Sequence, residues 1–423
     1  MRFAMASYGT RGDIEPSVAV GHELQRRGHE VRMAVPPDLV GFAHATGLDA
    51  IPYGIEVEPQ LGAYRDGWTR WTRRFWRIQD LVALSRDALQ GATRHWAEMN
   101  RALMTLAKDA DLLSTGVGYE QPAANVAQHY GIPLAVLHTF PWRPNGRIVP
   151  TLPAPVVRSG MQAYDWLLWR LTKRVEDAQR CELGLPQAKG TAARRMAEYG
   201  ALEIQAYDAV CFPGLAEEWN VSHPGRRPFV GTLTMELTAA DDVEVMAWID
   251  AGSAPICFGF GSIPMQSPAD TVEMISAACA ELGERALVCA GGTDLRETPR
   301  FGHVHVAGVV NYAAVFPKCR AVVHHGGSGT MAASLRAGVP TLALWTAGDQ
   351  PLWGAQLENL EIGAARRFST TTRATLVADL RRILTPDCAV HAREIAAQMT
   401  APSQSIRHAA DLIERRAAAV FEP

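Results

Sequence analysis

The residues best placed to do chemistry form one run, His324-His325-Gly326-Gly327-Ser328-Gly329-Thr330. A short apolar, β-branched stretch (321–323) precedes it, and helix formers (331–337) follow until Gly338 and Pro340 stop them. Glycines let a ligand approach the backbone closely. Ser328 and Thr330 add hydroxyls, and the next helix turns its free N–H groups and its positive end toward the loop. Such a combination suits a pyrophosphate. The run lacks the Gly-Lys-Ser/Thr ending of a P-loop, so no lysine sits on the phosphates. A plain glycine turn joining strand to helix is the rival reading of the same residues.

The elements around the run alternate. In the first half, strands are expected at 2–6, 30–35, 111–114 and 133–137, with helices at 16–27, 37–45 and 121–130. In the second half, strands are expected at 256–260, 286–290, 304–307, 321–323 and 341–345, with a helix at 269–282. Alternation of this kind predicts parallel sheets with helices on both faces. The fold class is therefore α/β, two doubly wound Rossmann-like domains facing a cleft, with ligands beyond the carboxyl ends of the strands. Prolines and glycines at 213–231 mark a linker between an N-terminal domain (1–212) and a C-terminal domain (232–402), and 403–423 is a terminal helix.

With 423 residues, 48% hydrophobic and 20% charged, the chain has the composition of a globular protein. A net charge of −3 gives no electrostatic case for nucleic acid. Seven scattered cysteines with no close-spaced pair argue against a zinc site or a disulfide framework. No signal peptide and no apolar run of about 18 residues is apparent, so a cytoplasmic protein is expected, one that could work at the inner face of the membrane.

The run HHGGSGTMAASLRAGVP…GDQPLWGAQLENLEIGA resembles the donor-site signature of GT-B glycosyltransferases that use nucleotide sugars. The opening SYGTRGDIEPSVAVGHELQRRGHEV, the phrases FVGTL and CFGFGSIP, and VNYAAVFPKCRAVV resemble the bacterial natural-product and sterol-type branch. The first 35 residues in particular resemble its mycobacterial members that glycosylate glycopeptidolipids. The resemblance implies an inverting transfer from a nucleotide-diphosphate sugar to an acceptor hydroxyl, with no metal or other cofactor. It places the acceptor mainly on the N-terminal domain, the donor on the C-terminal one, and the last helix back on the N-terminal domain.

Carried over residue by residue, the resemblance assigns the diphosphate to His324, Gly326, Gly327, Ser328, Gly329, Thr330, Gly261 and Ser262. His325 is left between ligand contact and packing. Asp349 and Gln350 match the acidic-Gln pair on the sugar hydroxyls, although Asp349 could equally cap the helix that follows. Asp13 falls where relatives carry the catalytic base. Its rival role is an N-cap, for which Glu15 competes, and Arg11 is expected to lower its pKa. Glu120 is the nearest candidate for a supporting carboxylate. The acceptor side takes Trp68, Trp71, Phe75, His138 and Glu120. The aromatics belong to the arginine-rich stretch 65–80, which reads as a packed amphipathic helix, an acceptor wall or a membrane contact.

Two departures matter. The tryptophan on which plant relatives stack the base is missing from 306–311, and their ribose-binding glutamate is Ala332 here. Base recognition then falls to backbone near Val309 and Val310, which leaves dTDP and UDP both open. The favoured donor is a dTDP-deoxysugar such as rhamnose or 6-deoxytalose, with UDP-glucose second. The favoured acceptor is a hydrophobic lipopeptide or other natural product. A sugar-nucleotide epimerase on the same scaffold and a non-catalytic sugar-nucleotide-binding helper are the alternatives.

Overall fold

The computed structural model describes residues 1–57, 96–261, 267–291, 293 and 298–419. The chain divides into two compact units, 1–235 with 400–423, and 236–399. In the first, strands β1 (Arg2–Ala6), β2 (Glu30–Val35), β3 (Asp49–Pro52), β4 (Leu112–Gly116), β5 (Leu134–His138) and β6 (Leu202–Gln205) form a sheet of order β3-β2-β1-β4-β5-β6. All its pairings are parallel, with Phe3 opposite Val31 and Leu112. The second unit repeats the pattern. Strands β7 (Ile256–Gly259), β8 (Ala286–Cys289), β9 (Val304–Ala307), β10 (Ala321–His324), β11 (Thr341–Trp345) and β12 (Gly363–Arg367) take the order β12-β11-β10-β7-β8-β9. Both are Rossmann orders, so each sheet reverses its direction of growth once, between β1 and β4 and between β7 and β10. The glycine loops follow β1, β7 and β10, at those switch points.

The central strands are apolar on both faces because helices cover both. In the first unit, Phe3, Met5 and Val31 meet Ile14, Val18 and Leu24 of the helix Arg11–Arg26. The same core takes in Ala409, Ala410, Ile413 and Ala417 of the last helix, Pro402–Ala418. Arg27 fastens that helix through bonds of 2.6 Å to both Asp411 and Glu414. The terminal helix thus packs on the N-terminal unit, as the resemblance implied.

Three boundaries differ from the sequence reading. The helix after β1 begins at Arg11, a turn before the expected 16, because Thr10 and Asp13 form a capping box ahead of Pro16. The stretch 213–231 is built into the first unit. It contains the helix Leu215–Ser222, whose Trp219 is 2% exposed, and Phe229 bridges to Gln205 of β6. Finally, 232–235 and 400–402 also belong to the first unit. The Met235 N–H donates to Glu15 at 2.8 Å, and the Thr400 N–H to Asp208 at 2.7 Å.

Candidate active site

At the end of β10 the two histidines part. His324 is fully buried, and its Nδ1 accepts the Gly326 N–H at 2.9 Å. Its Nε2 lies 3.5 Å from the Ser334 hydroxyl, which itself donates to the Met331 carbonyl at 2.8 Å. Both ring nitrogens therefore face protein. The expected phosphate contact by His324 is replaced by an internal role: it folds the glycine turn back onto the helix Ser328–Ala337.

His325 stands between the two glycine loops. A Cβ on Gly261 would come 2.5 Å from the His325 Cε1, and one on Gly327 would come 2.4 Å from its Nε2. Gly261 also has φ +62°, a left-handed backbone that suits glycine. These glycines make room for an imidazole as well as for a ligand, and the ring locks the loop after β7 to the loop after β10. Burial lowers the His324 pKa to about 3, with His325 adding to the shift. Burial lowers His325 to about 4, opposed by the Gly259 carbonyl. Both rings are neutral near pH 7, so no imidazolium awaits an anion here.

The first N–H groups of the helix after the loop are left without an acceptor within the helix. Gly327 is the N-cap residue, and the first backbone bond of the helix runs from the Met331 N–H to the Gly327 carbonyl at 2.8 Å. Ser328, Gly329 and Thr330, all half-buried, precede that bond, so their amides have no carbonyl within the helix to reach.

Beside this turn lies the loop after β11. The Gln350 carboxamide oxygen accepts from the Thr346 N–H (2.8 Å), the Thr346 hydroxyl (3.1 Å) and the Ala347 N–H (3.1 Å). Its Cβ lies 3.1 Å from where a Cβ on Gly326 would sit, so Gln350 braces both loops. Only its amide nitrogen is left for a sugar. Asp349 is the N-cap residue of the helix Gln350–Asn359 but makes no side-chain capping bond. Its Oδ2 accepts from the Trp353 indole at 3.2 Å.

The nucleoside candidates diverge. Val310 is 7% exposed and packs with Val245, Ile249 and Phe316, whereas Val309 points to solvent. Asp241 and Asp242 hold this loop by accepting from the Gly308 (2.6 Å) and Asn311 (2.8 Å) amides, two anchors that the sequence reading missed.

In the N-terminal unit, Asp13 follows the end of β1. Its Oδ2 accepts from the Thr10 N–H at 2.8 Å and the Thr10 hydroxyl at 3.0 Å. Gly9, at φ +138°, lets the carboxyl approach, since a Cβ there would lie 2.4 Å from Oδ2. Asp13 occupies the third helical position, not the N-cap, and Glu15 is spent on Met235 and Arg11. Arg11 turns away, to Glu15 and over the Phe42 ring. Desolvation by the surrounding protein raises the Asp13 pKa above its ordinary value, while the Thr10 bonds pull it down. Solvent still reaches the side chain.

Glu120 and His138 do meet, but as parts of a buried charge network. His138 Nε2 lies 3.2 Å from Glu120 Oε1, and Arg143 donates to Glu120 Oε2 at 2.8 Å. Arg143 also bonds Glu203, which accepts from Arg227 at 2.7 Å. Burial raises the Glu120 pKa, but Arg143 and His138 outweigh it and leave it at about 2. The hydrogen bonds of Asp13 go to Thr10 and those of Glu120 to this network, so Glu120 is not the supporting carboxylate. It is a structural anion at the ends of β4 and β5. Trp68, Trp71, Phe75 and Ser262 lie outside the described residues.

The chain is similar to known proteins over nearly its full length. The glycosyltransferase family 28 N-terminal domain matches residues 3–136, and the erythromycin biosynthesis protein CIII-like C-terminal domain matches residues 286–414. A glycosyltransferase of Mycobacterium tuberculosis is 57% identical over 98% of both chains. Among solved structures, the glycotransferase of kitacinnamycin superposes with a TM-score of 0.72 at 21% identity, covering 98% of each chain. The spinosyn rhamnosyltransferase SpnG, complexed with thymidine diphosphate, gives 0.66 at 16% identity, covering 97% of this chain and 100% of that one. Two Rossmann sheets, a glycine-loop helix start and a near-full-length relative converge on one conclusion: the chain belongs to the GT-B glycosyltransferases and is an enzyme of that family.

Proposed function

We propose that the enzyme transfers a deoxysugar such as rhamnose or 6-deoxytalose from its dTDP derivative to a hydroxyl of a hydrophobic acceptor, with inversion and without a metal. UDP-glucose is the second donor, and a glycopeptidolipid precursor is the favoured acceptor. The observation that carries this reading is the second unit's glycine turn, packed against two neutral imidazoles, at a helix start where the amides of Ser328, Gly329 and Thr330 have no acceptor within the helix. Preorganised neutral donors stabilise a departing diphosphate as its charge develops. SpnG, a rhamnosyltransferase holding thymidine diphosphate, supports the choice of donor.

In this reading Asp13 is the base. Both Thr10 bonds fall on Oδ2, which leaves Oδ1 for the acceptor proton. The acceptor oxygen forms its bond to the anomeric carbon as the bond to the diphosphate breaks. The proton passes to Asp13 and the electron pair leaves with the nucleoside diphosphate. The Gln350 amide and Asp349 take sugar hydroxyls from the loop after β11, and backbone at Val309 and Val310 takes the base. The work would be done in the cytoplasm, where nucleotide sugars are made.

A donor panel tests the reading. Thermal shift with dTDP, UDP and their sugars is expected to rank dTDP compounds first, because a bound ligand stabilises the fold by mass action. Product should form only when a hydrophobic alcohol is added. Interconversion of the donor alone would overturn transfer, and a preference for UDP would overturn the donor.

A further inference from the structure

The helix Ala154–Glu182 is 29 residues long, and only Val157, Glu176, Gln179 and Arg180 along it are buried. Its middle shows the reverse of a packed face. Tyr164, Leu167, Leu168 and Leu171 follow the i, i+3, i+4, i+7 spacing of one helix stripe and are 55%, 48%, 39% and 41% exposed. Single exposed leucines are ordinary, but a continuous stripe of four large apolar groups is not. Trp166, 56% exposed, lies about 150° around the helix from the middle of the stripe, beyond Arg170, whose guanidinium is 6.0 Å from its ring centre.

Charge decides what covers the stripe. Residues 154–174 hold Arg158, Arg170, Lys173 and Arg174 against one carboxylate, Asp165, although the whole chain carries −3. Arg158 is paired with Glu218 and Lys173 with Asp177. Among the described residues Arg170 and Arg174 have no carboxylate partner, and at one helical turn apart they border the stripe along one side. A stripe of leucines and a tyrosine, bordered on one side by arginines without a carboxylate partner among the described residues, matches a surface with an apolar interior and anionic headgroups. Among the described residues no helix is long and apolar enough to cross a membrane, so contact from the surface is the form this helix allows.

We propose that the middle of this helix seats the enzyme on an anionic phospholipid surface, with Leu167, Leu168 and Leu171 entering the acyl boundary and Arg170 and Arg174 on the headgroups. The inference does not rest on the choice of donor or acceptor, and its test does not use turnover.

The full chain is sedimented with vesicles of equimolar phosphatidylcholine and phosphatidylglycerol, and with vesicles of phosphatidylcholine alone. Binding to the mixed vesicles is expected, weaker without phosphatidylglycerol and weaker as salt screens the charges. Arg170→Gln and Arg174→Gln should each reduce partitioning about fivefold. Leu167→Asp with Leu171→Asp should reduce it about tenfold or more, with the melting temperature unchanged because these side chains are exposed. Equal binding to both vesicle types, or variants that bind like the parent, would overturn the proposal. So would loss of binding on Trp68→Ala with Trp71→Ala while the helix variants bind normally, which would move the contact to 65–80. A dimer in analytical ultracentrifugation that the leucine variants dissolve would give the stripe to a second copy instead.

Discussion

Acidification from pH 7 to pH 5 should loosen the second unit through its two buried imidazoles. A free histidine takes up a proton near pH 6.5, whereas burial holds His324 at about 3 and His325 at about 4. Between pH 7 and 5 the unfolded chain therefore binds protons that the folded one refuses, so stability falls as pH falls. Integrated over that window, each histidine contributes a loss of about 2 kcal/mol. The share of His325 is smaller, since solvent reaches part of its side chain. Hydrogen exchange at the amides of β10 reads this unit directly, and after correction for intrinsic rates about 2 kcal/mol is roughly a thirtyfold loss of protection. His324→Asn keeps an acceptor for the Gly326 N–H but cannot titrate, so its pH-dependent loss should be smaller by about 2 kcal/mol. If His324→Asn and the parent lose protection equally between pH 7 and 5, His324 is not the buried neutral ring described here.

Gly327→Ala and Gly261→Ala each drive a methyl group into the His325 ring, so both should weaken nucleotide binding as well as lower the melting temperature. Calorimetric titration with dTDP checks the first effect, and unchanged affinity would separate the clamp from the donor site. Arg143→Met strips two buried carboxylates of their shared cation and should cost about 3–5 kcal/mol in urea unfolding. Arg27→Ala leaves Asp411 and Glu414 of the terminal helix without their shared arginine, and limited proteolysis should then cut within 402–418 sooner than in the parent.

Much of the frame was legible in the residues. Short, apolar, β-branched runs such as 321–323 read as buried strands, and their alternation with helices set the fold class. The T-x-x-D of Thr10 and Asp13 is a capping-box pattern that starts the helix at Arg11, whereas Pro16, a common first-turn residue, points to a later start. The linker misled for a related reason: prolines and glycines mark turns, but Trp219 between them is buried and stacks on the partly buried Phe229. At the site, sequence named loops but not the direction of each side chain. Which of two adjacent histidines faces inward depends on Ser334, ten residues away, and on glycines from a different strand. Such tertiary packing leaves no mark in local spacing. Glu120 was found for the same reason it was misread: a carboxylate after a strand resembles a catalytic one until Arg143 and Glu203 are placed beside it.

As the proposed base, Asp13 should govern turnover and not the hold on the diphosphate, which this reading gives to the second unit. The direct measurement is kcat for Asp13→Asn with a dTDP-sugar and a hydrophobic alcohol, paired with the dTDP affinity of the same variant. The account predicts a fall of roughly 10²–10⁴ in kcat with dTDP affinity unchanged. Full turnover by Asp13→Asn would contradict it.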